Sequence, residues 1–253
     1  MTMPEQSNRV AVVTGGARGI GRGCALELAA RGFAVVLVDL LVPEMKKTAA
    51  DIRASGSTAA CFEADVASFA RAQEVAGELQ RRFGRIDFLL NNAGQSMAKG
   101  LMELTEAEWD RTLAVNLKSC FNWCKAVAPI MLAQGGGRIV NMSSLNAYTG
   151  GVTSAVSKVA YAAAKAGILG LTRALAKELG PAILVNAICP GFIETELVSG
   201  LIEGRRAELT KGIALGRLGT PEDVAQLVAF LATAEPCFIT GQDFTVDGFQ
   251  WVI

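Results

Sequence analysis

Short apolar runs alternate with longer amphipathic stretches along almost the whole chain, and this alternation restricts the possible folds more than any other feature. The runs are rich in Val, Ile and Leu, as expected for strands that helices cover on both faces. Strands that alternate with helices need crossover connections, which place them in one parallel sheet. We therefore predict seven strands, at Val10–Thr14, Ala34–Val38, Ala59–Glu63, Ile86–Leu90, Arg138–Met142, Leu184–Ile188 and Asp243–Val246.

The amphipathic stretches predict about six helices. Two helix starts are clearly marked: Thr105-Glu-Ala-Glu108 matches a capping box, and Thr220 is an N-cap candidate before Pro221 at the first helical position. No repeat and no linker interrupts the pattern. We predict an α/β fold, a doubly wound parallel sheet of about seven strands with helices on both faces, in a single domain spanning residues 1–253. The main stretches are Gly21–Arg31, Phe69–Phe83, Ala107–Ala133, Ala160–Leu179 and Pro221–Ala232.

The composition excludes several classes of function. Lys plus Arg and Asp plus Glu number 24 each, so no charge imbalance favours nucleic acid or an anionic membrane as a partner. The chain has no His, which removes Ser-His-Asp hydrolysis and His-ligated zinc. Cys120 and Cys124 are one helical turn apart, but the other four Cys are scattered, and we expect reduced thiols and no metal site. The polar N-terminus and the lack of a membrane-length apolar run lead us to expect a cytoplasmic protein.

A glycine-rich turn follows the first predicted strand and leads directly into a helix: Thr14-Gly-Gly-Ala-Arg-Gly-Ile-Gly21. Glycines are needed where a backbone turns tightly and where it approaches a pyrophosphate. The helix N-terminus adds free N–H groups and the positive end of the helix dipole. The pattern indicates a dinucleotide site, with candidate contacts at Gly15, Arg18, Gly19, Ile20 and Gly21.

An acidic residue at the end of the second strand bears on the choice of cofactor. Asp39 can accept hydrogen bonds from the adenosine ribose hydroxyls and would repel a 2′-phosphate. Arg18 argues the other way, because a cation beside the loop could bind that phosphate. We give more weight to Asp39 and predict NAD rather than NADP. Asp65 and Val66, after the third strand, are candidates for the adenine edge, although Asp65 could equally be an ordinary turn residue.

Together with later motifs, this turn resembles the short-chain dehydrogenase/reductase family over nearly the whole chain. The motifs occur in the family's order and are Thr14–Gly21, Asn91-Asn-Ala-Gly94, Asn116, Ser143-Ser144, Tyr161-Ala-Ala-Ala-Lys165, Pro190-Gly191-Phe-Ile-Glu-Thr195 and Asp247-Gly248. The resemblance implies a Rossmann-type sheet with the active site at the carboxyl ends of the strands. It also implies a homotetramer or homodimer built through Ala107–Ala133 and Ala160–Leu179.

The resemblance also assigns further cofactor contacts. Asn92, Ala93 and Gly94 would pass beside the adenine ribose. Thr195 and the backbone of Ile193 would hold the nicotinamide amide, within the motif that begins at Pro190 and Gly191.

Tyr161 and Lys165 are four residues apart on a predicted helix and therefore share one face. A free tyrosine titrates near ~10 and is a poor base at neutral pH, but a nearby ammonium group stabilises its phenolate. Tyr161 could then take a proton from an alcohol or give one to a carbonyl oxygen. In the family the lysine also bonds the nicotinamide ribose, so Tyr161 and Lys165 count among the cofactor contacts.

Two further polar residues complete the candidate catalytic set. Ser144 would bond the reacting oxygen and stabilise its developing charge, with Ser143 as the alternative. Asn116 lies inside a predicted helix, where Asn is a poor helix former. In the family an Asn here interrupts the helix and holds a water against the lysine.

The chain departs from the family in the loop between the serine and the tyrosine. Ser144 and Tyr161 lie farther apart than in most members, and Tyr148 occupies the serine's usual offset. We interpret this as an insertion of about four residues within Thr149–Lys158, since surface loops tolerate insertions at little cost. The insertion borders the expected substrate pocket.

From these residues we expect an NAD(H)-dependent oxidoreductase that interconverts a secondary alcohol and a ketone or aldehyde on a small, largely uncharged substrate. The alternatives are a 3-oxoacyl-(acyl-carrier-protein) reductase that uses NADPH, and a non-catalytic NAD-binding sensor. Carrier-protein reductases that resemble this chain place basic residues just before the fifth strand and before the sixth strand, where this chain has only Arg138, although Arg205, Arg206 and Lys211 in the expected lid could form a substitute patch. The expected pocket residues are Gln95, Ser96, Met97, Leu145, Tyr148, Phe192 and a lid at about 192–216, chiefly Glu196–Leu215.

Overall fold

The computed structural model describes residues 9–151, 157–196, 204 and 206–250. Within them, seven strands form one sheet in which every neighbouring pair is parallel. The strand order is β3-β2-β1-β4-β5-β6-β7, which is the Rossmann order with one further strand. The strands are β1 Val10–Thr14, β2 Ala34–Asp39, β3 Ala59–Glu63, β4 Phe88–Asn91, β5 Gly137–Met142, β6 Ile183–Pro190 and β7 Asp243–Val246.

Helices connect the strands and cover both faces of the sheet. They are α1 Gly19–Ala30, α2 Val42–Ala54, α3 Phe69–Phe83, α4 Glu106–Leu113, α5 Ser119–Ala133, α6 Asn146–Thr149, α7 Val159–Leu179, α8 Arg206–Thr210 and α9 Pro221–Thr233. A π-helical segment, Ala114–Lys118, joins α4 to α5. Apolar residues of α1, α2 and α9 pack on one face, and those of α3, α5 and the end of α7 pack on the other. The predicted doubly wound α/β architecture is confirmed.

The alternation of side chains along β1 shows how the two buried layers arise. Val10 and Val12 point into the layer beneath α3 and α5, whereas Ala11 and Val13 point into the layer beneath α1 and α9. All four are 1% exposed or less. Because both faces of the strand are buried, the sequence shows a continuous apolar run instead of an alternating pattern.

Both predicted helix starts have the expected capping geometry. The Thr105 hydroxyl accepts a hydrogen bond from the backbone of Glu108, and the Glu108 carboxylate accepts one from the backbone of Thr105. Thr220 and Asp223 form the same reciprocal pair, with Pro221 in the first turn of α9.

The predicted helical stretch Ala107–Ala133 is not a single helix but is divided into α4, the π-helical segment and α5, and the interruption lies at Asn116, where the family resemblance implies one. The cause is Asn116, whose Nδ2 donates to the carbonyl oxygen of Thr112 at 3.0 Å. A side chain that bonds this carbonyl competes with the regular helical ladder. The helices α2, α6 and α8 were not among the predicted stretches.

None of the helices in the described part of the chain is long and apolar enough to cross a membrane. The same residues contain no cluster of three His, Cys, Asp or Glu that could hold a metal ion.

Candidate active site

A cavity of about 680 Å³ opens at the carboxyl ends of the strands, where the chain order reverses between β1 and β4. Ligands of open α/β sheets bind at such a reversal. All the predicted cofactor contacts line this cavity, as do three of the four predicted catalytic residues. The lining includes Gly15, Arg18, Gly19, Ile20, Gly21, Asp39, Asp65, Val66, Asn92, Ala93, Gly94, Ser144, Tyr161, Lys165, Pro190, Gly191, Ile193 and Thr195.

The glycine-rich turn between β1 and α1 leaves no space for side chains at two of its glycines. Gly15 has a positive φ of 65°, which favours glycine. A methyl group built on Gly21 would lie 2.0 Å from the carbonyl oxygen of Gly15. The backbone of the turn is therefore bare beside the N-terminus of α1, which is the arrangement that a dinucleotide pyrophosphate requires.

Two backbone N–H groups fix the carboxylate of Asp39 at the end of β2. Oδ2 accepts from the N–H of Ala17 at 3.0 Å, and Oδ1 accepts from the N–H of Leu41 at 3.0 Å. Thr48 supports the same turn by donating to the carbonyl oxygen of Ala17 at 2.9 Å. The carboxylate is thus held in place before a ligand binds, at the end of the cavity where a Rossmann fold binds the adenosine ribose.

Asp65 lines the cavity and pairs with Arg111, a residue that was not predicted from the sequence. Its carboxylate accepts from the N–H of Ala67 and from Nη1 of Arg111, each at 2.9 Å. Partial burial alone would raise the pKa of Asp65, but these two donors outweigh it and hold the pKa below its ordinary value. Asp65 is therefore an ionised carboxylate that carries its own counter-ion.

Asn92 ties the end of β4 to the glycine-rich turn. Its Nδ2 donates to the carbonyl oxygens of Thr14 and Gly15 at 3.1 Å each. In return, the Thr14 hydroxyl accepts from the N–H groups of Asn92 and Ala93 at 3.0 and 3.1 Å. These bonds place the Asn92–Gly94 segment directly beside the phosphate-binding turn.

Lys165 and Asn116 meet around Gly94. A methyl group built on Gly94 would lie 2.9 Å from Oδ1 of Asn116 and 3.5 Å from Nζ of Lys165. Lys165 is 3% exposed, and its Nζ donates to the carbonyl oxygen of Met142 at 2.8 Å. Asn116 is fully buried and exchanges hydrogen bonds with the backbone of Gln95. The π-helical segment therefore places the side-chain amide of Asn116 near Lys165.

Tyr161 and Ser144 face the same part of the cavity. Nζ of Lys165 lies 5.5 Å from the centroid of the Tyr161 ring, and the Ser144 hydroxyl accepts from the N–H of Asn146 at 3.2 Å. Ser143 also lines the cavity, but its hydroxyl donates to the carbonyl oxygen of Lys165 at 2.8 Å. Between the two serines, the geometry favours Ser144 as the group that contacts a substrate.

The segment after β6 forms one wall of the cavity. Ile193 forms a bridge with Gly219, which fixes the direction of this segment. The Thr195 side chain lies against the glycine-rich turn, 3.4 Å from the position of a methyl group built on Gly19. The predicted contacts at Pro190, Gly191, Ile193 and Thr195 therefore lie together.

The expected substrate pocket is only partly as predicted. Gln95, Ser96, Phe192 and Glu196 line the cavity, but Met97, Leu145 and Tyr148 are not among its described lining residues. Tyr148 instead packs against the small cluster of Leu169, Ala187 and Cys189, because α6 turns it away from the cavity. Residues 197–203 and 205 of the expected lid lie outside the described residues.

Ser157 lines the cavity and was missed by the sequence analysis. It lies in the loop that was interpreted as an insertion, and nothing in its local sequence distinguishes it from a surface serine. Cys120 and Cys124 are excluded as nucleophiles, because burial raises the pKa of both thiols and a neutral thiol is a weak nucleophile.

Comparison with known proteins gives consistent matches over almost the full length. A family model described as Enoyl-(Acyl carrier protein) reductase matches residues 15–248. The 3-oxoacyl-(acyl-carrier-protein) reductase FabG of Chlamydia muridarum is 39% identical over 245 residues, which cover 95% of this chain and 96% of that protein. BbsD of Thauera aromatica, a hydroxy(phenyl)methyl-succinyl-CoA dehydrogenase subunit, is 40% identical over 242 residues and covers 95% and 96%.

A solved structure agrees with these relatives. The short-chain dehydrogenase/reductase of Brucella melitensis, titled a glucose/ribitol dehydrogenase, superimposes with a TM-score of 0.89 at 35% identity and covers 98% of this chain and 99% of that one. The names of these three proteins agree on the class of reaction and differ in the substrate.

Proposed function

This chain belongs to the short-chain dehydrogenase/reductase family, and we propose that it is an NAD(H)-dependent enzyme that interconverts a secondary alcohol and a ketone or aldehyde on a small, largely uncharged substrate. That it is an oxidoreductase of CH–OH groups with a nicotinamide cofactor follows from its family. The observation that carries the finer proposal is the set of Ser144, Tyr161 and Lys165 on one cavity with the carboxylate of Asp39 at its other end.

The cavity fits a nicotinamide dinucleotide, because the bare backbone at Gly15 and Gly21 leaves room for a pyrophosphate and Asp39 is held ready for a ribose. Thr195 and Ile193 would hold the nicotinamide, and Lys165 its ribose. When bound, the nicotinamide supplies or accepts the hydride.

Tyr161 is the acid/base of the proposed reaction. In the oxidising direction its phenolate takes the proton of the alcohol, and in the reducing direction its hydroxyl protonates the carbonyl oxygen. The buried ammonium group of Lys165 stabilises the phenolate, since a charge acts more strongly at a site shielded from water. Ser144 holds the reacting oxygen and stabilises the charge that develops on it. Asn116 keeps its amide beside Lys165, where it would hold a water that relays the proton.

Replacement of Tyr161 by Phe tests this assignment. We expect Tyr161→Phe to lose nearly all turnover of a small ketone with NADH, a fall of at least about a hundredfold in kcat, while NADH affinity stays close to that of the wild type. Tyr148→Phe is the matched control, because Tyr148 is the chain's only other tyrosine. NADH absorbance measures turnover, and fluorescence titration measures binding. Wild-type activity in Tyr161→Phe would exclude the mechanism.

Reduction of a 3-oxoacyl-(acyl-carrier-protein) with NADPH is the second candidate function. The observation that favours it is the similarity to FabG of Chlamydia muridarum. BbsD is similar to the same degree, and its name gives a coenzyme A ester as its substrate. Because relatives of equal similarity differ in substrate, the name of one relative does not identify the substrate of this chain. A non-catalytic sensor is the weakest alternative, because it would need none of Ser144, Tyr161 and Lys165.

We also propose a homotetramer or homodimer formed through α4, α5 and α7. An exposed aromatic residue of α5 supports this: Phe121 stacks on Phe69 of the neighbouring α3 with ring centroids 6.1 Å apart, and the two are 46% and 41% exposed. Exposed aromatic pairs on helices are typical of protein interfaces.

A further inference from the structure

Ser157 has an unusual position for a serine in an inserted loop. It is 7% exposed, and it lines the cavity together with Ser144 and Tyr161. Its hydroxyl forms no hydrogen bond with another residue in the described part of the chain, although its carbonyl oxygen accepts one from the amide of Asn146. A hydroxyl that lines a cavity without a protein partner is available to hydrogen-bond a ligand or a water molecule there.

Two hydrogen bonds hold the peptide unit between Ser157 and Lys158. The Asn146 amide donates to the Ser157 carbonyl oxygen at 3.3 Å, and the N–H of Lys158 donates to the carbonyl oxygen of Met97 at 2.8 Å. The backbone N–H of the same Asn146 donates to the Ser144 hydroxyl at 3.2 Å. One residue therefore fixes the serine beside the reacting oxygen and also the position of Ser157.

From this geometry we propose that Ser157 is a specificity-determining residue that hydrogen-bonds a second oxygen of the substrate, so that the substrate class is a hydroxyketone and the corresponding diol. The inference rests on the proposed function, because it assumes that the reacting oxygen binds between Ser144 and Tyr161. Because Ser157 lines the same cavity as that pair, its hydroxyl would bond a second oxygen, on a carbon next to the reacting one.

The rest of the substrate end of the cavity is compatible with such a substrate. Gln95 and Ser96 add polar groups there, whereas Phe192 supplies the large apolar surface. A plain ketone would place a methylene group against the Ser157 hydroxyl and leave it unsatisfied. A site built to bond a substrate hydroxyl discriminates strongly against the analogue that lacks it.

The experiment compares two probes with one carbon skeleton, 2-butanone and 1-hydroxy-2-butanone, on the full-length chain with the preferred nicotinamide cofactor. The readout is the ratio of kcat/KM for the hydroxyketone to that for the ketone. We expect a wild-type ratio above about ten. Because the hydroxyl also makes the carbonyl intrinsically more reactive, the decisive result is the change in this ratio between variants.

Ser157→Ala should lower the ratio about tenfold, which is the effect of one neutral hydrogen bond. Ser157→Thr keeps a hydroxyl and should restore most of it. Ser96→Ala is the matched control, since it removes another serine hydroxyl from the same cavity, and we expect a much smaller change. Thermal unfolding of each variant establishes that it is folded.

Each outcome has a separate meaning. If the enzyme turns over neither probe, the proposed function is contradicted, and the inference that rests on it is contradicted as well. Turnover of both probes with a ratio that is unchanged in Ser157→Ala overturns the inference alone. An equal fall in Ser96→Ala also overturns it, because the effect would then belong to the polarity of the cavity and not to Ser157.

Discussion

At the scale of single residues, two side chains at the adenosine end have opposite consequences for cofactor choice. Asp39 is anchored by the N–H groups of Ala17 and Leu41, so its charge has a fixed position in the cavity. Arg18 also lines the cavity, but its side chain is exposed and makes no capping hydrogen bond at the start of α1. A fixed carboxylate has more influence on a ligand than an exposed guanidinium, whose charge is screened by solvent.

We therefore expect kcat/KM to be more than about tenfold higher with NADH than with NADPH, a difference of about 1.4 kcal/mol. The double variant Asp39→Ala/Leu40→Arg should reverse this preference, because it removes the repulsion and adds a cation at an exposed position of the cavity wall. Leu40→Arg alone is the control and should shift the ratio less. Initial rates with both cofactors decide the point, and a wild type that prefers NADPH would show the assignment to be wrong.

The site residues that could be predicted from the sequence are those that belong to a motif of residues close together in the chain. Tyr161 and Lys165 are one helical turn apart, and the glycines of the turn after β1 are adjacent. Arg111 and Ser157 could not be predicted, because each reaches the cavity only through tertiary structure: Arg111 through its pair with Asp65, Ser157 through the amide of Asn146. The partner of Lys165, the Met142 carbonyl, is a backbone atom and carries no sequence signal.

At the scale of elements, the strands were predicted well because continuous apolar runs are short and distinct. The errors are in helices. In α2 the buried positions include Met45, Ala49 and Ile52, and most of the residues between them are alanines or charged residues. The apolar stripe of this helix is therefore weak, and its sequence pattern does not predict a helix clearly. The division of Ala107–Ala133 depends on the contacts of Asn116 with Gln95 and Thr112, of which the first connects residues far apart in sequence.

The start of α9 allows a test of stability. Arg217 forms two hydrogen bonds with the Asp223 carboxylate at 2.6 and 2.8 Å, and the N–H of Thr220 adds a third. The hydrogen bonds from Arg217 lower the pKa of Asp223 to about 2. Partial burial opposes this shift, and the hydrogen bond from Thr220 adds to it. Since the pKa is lower in the folded state, ionised Asp223 stabilises the protein above about pH 4, and this contribution is lost as the pH falls towards about 2.

Asp223→Ala should therefore reduce the free energy of unfolding by about 1 kcal/mol at pH 7, and the difference from the wild type should shrink between pH 4 and 2. Urea unfolding at a series of pH values measures it. Glu222→Ala is the matched control: Glu222 lies in the same first turn, so it interacts with the helix dipole but lacks the Arg217 pair. A difference that stays constant down to pH 2 would contradict the assignment.

At the scale of the whole molecule, the charge distribution bears on the choice between a small substrate and one carried by an acidic protein. The sequence has a net charge of zero. Arg138, the basic residue at the start of β5, is turned inwards: it donates to the carbonyl oxygens of Leu231 and Ala234 and pairs with Glu235. Arg206 in the expected lid pairs with Glu194. These cations are therefore already neutralised within the chain.

We expect that a carrier protein gives the substrate no advantage. The assay compares one 3-oxoacyl group attached either to acyl-carrier protein or to a small thioester. We expect kcat/KM values within about threefold of each other and little dependence on salt, since electrostatic docking would be weakened by ionic strength. A saturable, salt-sensitive reaction that strongly favours the carrier-linked form would support the FabG-like function instead.

The position of Asn146 has a consequence for how enzymes of this kind can diverge. Its backbone supports Ser144 while its side chain holds the incoming loop at Ser157. If Ser144 and Ser157 have the proposed roles, Asn146 supports both the catalytic serine and the serine that selects the substrate, although the two serines belong to different segments of the chain. The loop between Asn146 and α7 can therefore change in length while Ser144 keeps its position. The substrate specificity can then change while the catalytic groups stay the same.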